Sequence, residues 1–117
     1  TFLINYFQEA AMDTQKQIHD IVTSNDITLF MKGSPDAPQC GFSATAVQIL
    51  KACGVQQFAA VDVLSNPEIR QSIKDYANWP TIPQLYIKGE FVGGCDIMKE
   101  MYSAGELQKQ LASLAAT

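Results

Sequence analysis

Ile27-Thr28-Leu29-Phe30-Met31 runs into Lys32-Gly33, then through a loop with Ser34, Pro35 and Pro38, to Cys40-Gly41-Phe42-Ser43. The first five residues form a short apolar run fit for a buried strand. From Cys40 the period changes. Phe42, Ala46, Ile49, Leu50 and Cys53 fall on one helical face, and Gly54 stops the helix. Phe58-Ala59-Ala60-Val61-Asp62-Val63 then reads as a second strand. Strand, helix and strand at these intervals imply a parallel pair with a right-handed crossover.

The pattern extends in both directions. Upstream, Thr14 with Gln17 reads as a capping box ahead of Ile18, Ile21 and Val22 at helical spacing, and Asn25 closes that helix. Downstream, Asn66-Pro67 is an N-cap followed by proline at the first helical position. Ile69, Ile73, Tyr76 and Ala77 give that helix its inner face, and Trp79-Pro80 ends it. Pro83 to Ile87, Lys88-Gly89 and Glu90 to Gly93 read as a hairpin. Asp96 opens a helix carrying Ile97, Met98, Met101 and Tyr102. Ser103 and Glu106 form a second capping box before Leu107, Leu111 and Leu114. The expected fold is α/β, with a central mixed four-stranded sheet flanked by helices.

The chain has 117 residues, 47% hydrophobic and 17% charged, which suits one folded domain and excludes disorder. Its net charge is -4, with no Lys/Arg cluster. That balance argues against nucleic acid and against an anionic membrane surface as partners. No apolar run approaches the ~20 residues needed to span a bilayer. Residues 1–11 lack the basic start of a signal peptide and the Arg-rich pattern of a transit peptide. They read as an N-terminal extension or an expression remnant, with residues 12–117 as the domain. A cytoplasmic or similarly reducing location is the expectation.

Cys40, Cys53 and Cys95 are the three cysteines; the number is odd, and no Cys-x-x-Cys occurs. In a reducing compartment they read as reactive thiols or core residues, not structural disulfides. Cys40 carries the most information. It stands at a helix start, where unsatisfied N–H groups and a partial positive charge favour thiolate over thiol. Its pKa is expected below the free value of roughly 8.5, with Lys32 adding a second positive charge. Ser43 stands where a resolving thiol would be. A hydroxyl cannot resolve a mixed disulfide, so Ser43 reads as a partner for a free N–H of the first turn. Cys53 reads as core, His19 as a surface residue, Met98 and Met101 as a core stripe, and Trp79 as a packing residue.

Cys40-Gly41-Phe42-Ser43 resembles the corresponding block of the monothiol glutaredoxins. Met31-Lys32-Gly33, Trp79-Pro80-Thr81-Ile82-Pro83 and Gly93-Gly94-Cys95-Asp96 occur in that family's order and spacing, so the resemblance spans about residues 14 to 115. It is closest to the short single-domain form, and makes 12–117 a glutaredoxin domain with a thioredoxin-like fold. The resemblance implies that Cys40 is the nucleophile and cluster-binding thiolate. Lys32 and Arg70 would take the glycine carboxylate of glutathione. Thr81 and Ile82, before a cis Pro83, would present backbone groups to its cysteinyl part. Gly94, Cys95 and Asp96 would hold its γ-glutamyl end.

The resemblance further implies a [2Fe–2S] cluster bound with glutathione. Such a cluster needs four ligands, usually thiolates. Two chains and two glutathiones would supply them in a cluster-bridged homodimer. The implied function is delivery of clusters to apo iron–sulfur proteins, with a BolA-like protein as an alternative partner. The residues leave a second reading open. Cys40 could work as a glutathione-dependent oxidoreductase that removes glutathione from protein mixed disulfides, so whether the chain is mainly an enzyme stays open. Cys95 could also form a disulfide with Cys40 under oxidation.

Overall fold

Side chains alternate across a strand, so Leu29 and Met31 face one way and Phe30 the other. All three are fully buried in the computed structural model, which describes the backbone of residues 2–115 and the side chains of residues 13–114. In chain order the elements are α1 (Phe2–Ser24), β1 (Ile27–Met31), β2 (Gly33–Ser34), β3 (Ala37–Pro38), α2 (Gly41–Ala52) and β4 (Ala59–Asp62). They continue with α3 (Pro67–Ala77), β5 (Gln84–Ile87), β6 (Glu90–Gly93), α4 (Cys95–Ser103) and α5 (Glu106–Ala115).

The main sheet has four strands in the order β4-β1-β5-β6. β1 and β4 are parallel, with Thr28 opposite Ala59 and Met31 opposite Asp62. β5 runs antiparallel to β1, with Leu29 opposite Leu85, and β6 runs antiparallel to β5. The mixed sheet expected from the sequence is therefore present. Lys88 and Gly89 both take positive φ, 51° and 82°, the backbone of a two-residue hairpin turn that follows the strand twist.

The core has two layers, one on each face of the sheet. Leu29, Met31 and Leu85 pack against Ala46, Val47 and Leu50 of α2, Met98 of α4 and Leu107 of α5. Phe30 and Tyr86 pack on the other face against Ile18 and Val22 of α1 and Ile69 and Ile73 of α3. Each fully buried aliphatic or aromatic side chain contributes about 1.5–3 kcal/mol. The two layers fix α2, α3 and α4 relative to the ends of β1 and β5, where the cavity described below opens.

Several local readings need correction. α1 starts at Phe2, so Thr14 lies within the helix and not at its cap. Gln8 to Met12 contain no proline or glycine and are mostly strong helix formers, so nothing in them stops the helix. Asn66 is at the N-cap position, but its side chain donates to the Asp62 carbonyl (3.0 Å) and caps no N–H. Asn78, in the left-handed region at φ 51°, ends α3 before Trp79 is reached. Cys95, not Asp96, is the first residue of α4, with Gly94 at its N-cap. Ser103 is the last residue of α4 and does not cap α5. The loop after Lys32 folds on itself as the small β2–β3 hairpin, which pairs Gly33 with Pro38. Asn25 does close α1, its side chain donating to the Ile21 carbonyl at 2.8 Å.

Candidate functional site

Cys40 occupies the N-cap of α2 with extended backbone (φ -151°). Its thiol therefore sits over the free N–H groups of the first turn. The Ser43 N–H is the largest influence holding the thiol pKa below its ordinary value; modest burial opposes it. The Phe42 N–H, the Lys32 charge and the Ser43 hydroxyl add to the lowering in that order. The helix terminus thus matters more than the lysine. Burial is the leading influence on the other two thiols and pushes both up. Cys40 is the one cysteine of the three poised to ionise.

Ser43 is fully buried, and its Oγ accepts the Lys32 N–H at 3.1 Å. The expectation that it serves an N–H of its own helical turn is corrected. It ties the start of α2 to Lys32, the residue that follows β1. The Lys32 carbonyl accepts the Gln39 N–H at 2.9 Å, closing the loop that carries Cys40. Asp62, at the end of β4, accepts N–H bonds from Gly33 (3.0 Å) and Leu64 (2.9 Å) and the Ser65 hydroxyl (2.9 Å). Those bonds, the Gly33 N–H foremost, keep its carboxyl pKa low, so it stays an acceptor at neutral pH.

Phe42 departs from the core face on which its spacing places it: it is 61% exposed. Its side chain lies at the edge of the cavity described below and not in the core, although Ser43 next to it is fully buried. Cys53 packs half-buried against the α2 layer of the core, as expected, and Met98 and Met101 belong to the same layer. His19 is exposed, with its Nδ1 3.1 Å from the Tyr76 hydroxyl.

A cavity of about 380 Å³ opens beside Cys40. That volume lies within the usual range for small-molecule sites. Lys32, Cys40, Arg70, Thr81, Ile82, Pro83, Gly94, Cys95 and Asp96 all line it. The structure thus brings together the nine residues singled out in the sequence, from the end of β1, the starts of α2 and α4, α3 and the loop before β5. The Ile82–Pro83 bond is cis. Phe42, Lys74, Trp79, Pro80 and Ile97 complete the lining. Lys74 was missed in the sequence. It follows Arg70 by four residues on α3, one turn along the same face, a spacing that could have pointed to it.

The cavity wall is electrostatically sorted. Lys32, just after β1, and Arg70 and Lys74 of α3 supply three cations, whereas Asp96 supplies an acid in the first turn of α4. The N-termini of α2 and α4 add partial positive charge. A ligand with carboxylates, an ammonium and a polar backbone suits this wall. Trp79 packs on Phe91, ring centroids 5.7 Å apart. No group of three or more His, Cys, Asp or Glu side chains suited to a metal ion occurs among the described residues. None of their helices is long and apolar enough to cross a membrane.

A family model described as Glutaredoxin matches residues 27–92, from the first residue of β1 into β6. The chain belongs to the glutaredoxin family, in its monothiol branch. Glutaredoxin 4 of Escherichia coli strain K12 is 56% identical over 103 residues, covering 88% of this chain and 89% of that one. A Synechocystis protein described as an uncharacterized monothiol glutaredoxin is 56% identical over 99 residues, covering 85% and 92%. The solution structure of reduced poplar apo GrxS14 superposes with a TM-score of 0.74 at 50% identity, covering 88% of this chain and 94% of that one. The thioredoxin-like fold expected from the sequence is thus present. The glutaredoxins are a glutathione-associated family, and this one carries its single low-pKa thiol at the cavity mouth.

The thiol's environment has a direct consequence. The rate of Cys40 alkylation by iodoacetamide is expected to rise with pH through an inflection below the ordinary thiol value. Below that inflection the thiol is protonated and slow; above it the thiolate dominates. Ser43→Ala removes the hydroxyl but keeps the Ser43-position N–H, the larger influence. The inflection is therefore expected to move up only slightly. A pH–rate series on both proteins, with the modified residue located by mass spectrometry, checks this.

Proposed function

We propose that this glutaredoxin binds glutathione in the Cys40 cavity and carries a [2Fe–2S] cluster, held jointly with a second chain, for delivery to apo-proteins. The observation that carries the reading is the combination at one site of a single activated thiolate and a cavity sorted for a zwitterionic, carboxylate-rich ligand. Lys32, Arg70 and Lys74 would take carboxylate, and Asp96 would take ammonium. The backbone of Thr81 and Ile82 would meet the cysteinyl unit.

One thiolate per chain cannot hold a cluster that needs four ligands. The described residues offer no clustered His, Cys, Asp or Glu set to make up the number. Two chains and two glutathione thiolates would. The cluster is cargo in this scheme, and ligands that dissociate with glutathione favour its release. A BolA-like protein in place of one chain belongs to the same proposal.

Anaerobic reconstitution with iron, sulfide and glutathione tests the reading. A coloured dimer on size exclusion, lost when glutathione is omitted, is expected. A colourless monomer in every condition would overturn the carrier role. The low pKa of Cys40 supports a second activity. The thiolate would attack the glutathione sulfur of a protein mixed disulfide, releasing the protein thiolate. A second glutathione would then attack Cys40–S–SG, regenerating the thiolate and yielding glutathione disulfide. Deglutathionylation turnover in the absence of iron measures this activity separately.

The cations give a graded expectation. Lys74→Ala should weaken glutathione about threefold to tenfold, and Arg70→Ala, on a more exposed side chain, somewhat less. Both losses should shrink at high salt. Titration calorimetry at two ionic strengths checks the order and the salt effect.

A further inference from the structure

Gln84 is fully buried, and it is polar. A buried amide is costly unless its donors and acceptor are met. Its Nε2 donates to the Trp79 carbonyl and the Thr81 carbonyl, both at 3.2 Å. Its Oε1 accepts the Tyr86 hydroxyl at 3.0 Å. The orientation is dictated by chemistry: two carbonyls can only accept, so the NH₂ must face them and the oxygen must face the hydroxyl.

Tyr86 is an anchored donor. It is 1% exposed, and its ring is held by Phe30 edge-on at 5.5 Å and by Phe91 at 5.4 Å. Burial, with the neighbouring Tyr76, keeps its phenol protonated. Residues 79–83, by contrast, belong to no helix or strand, and Pro80 and Pro83 lack N–H donors. This loop forms the Trp79, Thr81 and Ile82 side of the cavity. A chain of contacts therefore runs from the aromatic core through Tyr86 and Gln84 to the carbonyls of that loop.

We infer that Gln84 is a positioning residue for glutathione binding: its amide fixes the Trp79–Pro83 loop in the geometry that presents Thr81 and Ile82 to the ligand, and Tyr86 fixes the amide. The inference rests on the reading that the cavity takes glutathione. Gln84 touches neither Cys40 nor α2 through any of these hydrogen bonds. Its loss should act on ligand affinity and leave the thiol alone.

The test uses Gln84→Met, which keeps length and removes donors and acceptor, and Tyr86→Phe, which removes the hydroxyl only. Glutathione affinity is read by calorimetry and the thiol by the pH profile of Cys40 alkylation. Loop order is read by acrylamide quenching of Trp79, the single tryptophan. Gln84→Met is expected to weaken glutathione about tenfold and Tyr86→Phe about threefold. Both should raise Trp79 quenching and leave the alkylation profile in place. Leu107→Ala, in the opposite core layer, controls for general destabilisation and should bind glutathione as wild type does. Wild-type affinity in a folded Gln84→Met protein would overturn the inference, as would an equal loss in Leu107→Ala. If Gln84→Met does not fold, Tyr86→Phe decides, and unchanged affinity there overturns it. Failure of the wild type itself to bind glutathione would instead refute the ligand reading, and this role with it.

Discussion

Replacing Cys40 by serine is expected to lower glutathione-dependent turnover more than about a thousandfold and to abolish cluster binding, while the protein stays folded. Burial pushes Cys53 and Cys95 up, and only Cys40 is held low. A serine hydroxyl in the same place does not ionise near neutral pH, so neither a nucleophile nor a thiolate ligand remains. Ser43 cannot stand in, because its Oγ is buried and engaged by the Lys32 N–H. The fold should not suffer: Cys40 makes no side-chain cap bond, and serine is among the preferred N-cap residues. Thermal melting should therefore be equal to wild type or slightly higher. Cys53→Ala, in the core layer away from the cavity, should retain turnover. Paired assays of activity and melting temperature on the two variants separate chemistry from stability.

The second large effect is on the loop that carries the thiol. Gly33→Ala is expected to destabilise the protein by about 3 kcal/mol, summing a left-handed backbone penalty of ~1–2 and an overpacking penalty of ~1–3. Gly33 sits at φ +91°, and a Cβ there would lie 2.5 Å from the Ala37 carbonyl oxygen and 2.8 Å from the Gln39 nitrogen. These two atoms are backbone, in β3 and the residue just after it, so no rotamer change relieves the clash. Relief requires the hairpin to open. That would strain the Gln39 N–H to Lys32 carbonyl bond and the Gly33 N–H to Asp62 bond. For a domain of this size the melting temperature should fall by roughly 10–20 °C. Cys40 alkylation should also lose its low-pH advantage as the N-cap geometry loosens. Calorimetry and alkylation on the same preparation check both.

The strands and the three central helices were legible because apolar period and punctuation agree in them. Ile27 to Met31, the stripe from Ala46 to Cys53, and Asn66-Pro67 each say the same thing at the level of propensity and of pattern. The candidate site was legible through its blocks: all nine residues read from the sequence line one cavity. What stayed hidden depends on what packs above or beneath a residue. Phe42 has the right spacing for the core, but it stands at the cavity and is exposed. Ser43 reads as a local cap, yet its partner, Lys32, is eleven residues back, just after β1. Lys74 looks like any lysine on a helix until α3 is placed against the cavity. Gln84 reads as one polar residue at a strand start, and only burial shows that its amide holds the loop. The β2–β3 hairpin has two-residue strands, too short for any periodicity to reveal.

Native mass spectrometry of the anaerobically reconstituted protein counts the chains and glutathiones that hold the cluster. One species of two chains, two glutathiones and one [2Fe–2S] unit, absent from Cys40→Ser, is expected. A cluster-bearing single chain, or a cluster-bearing dimer without glutathione, would contradict it.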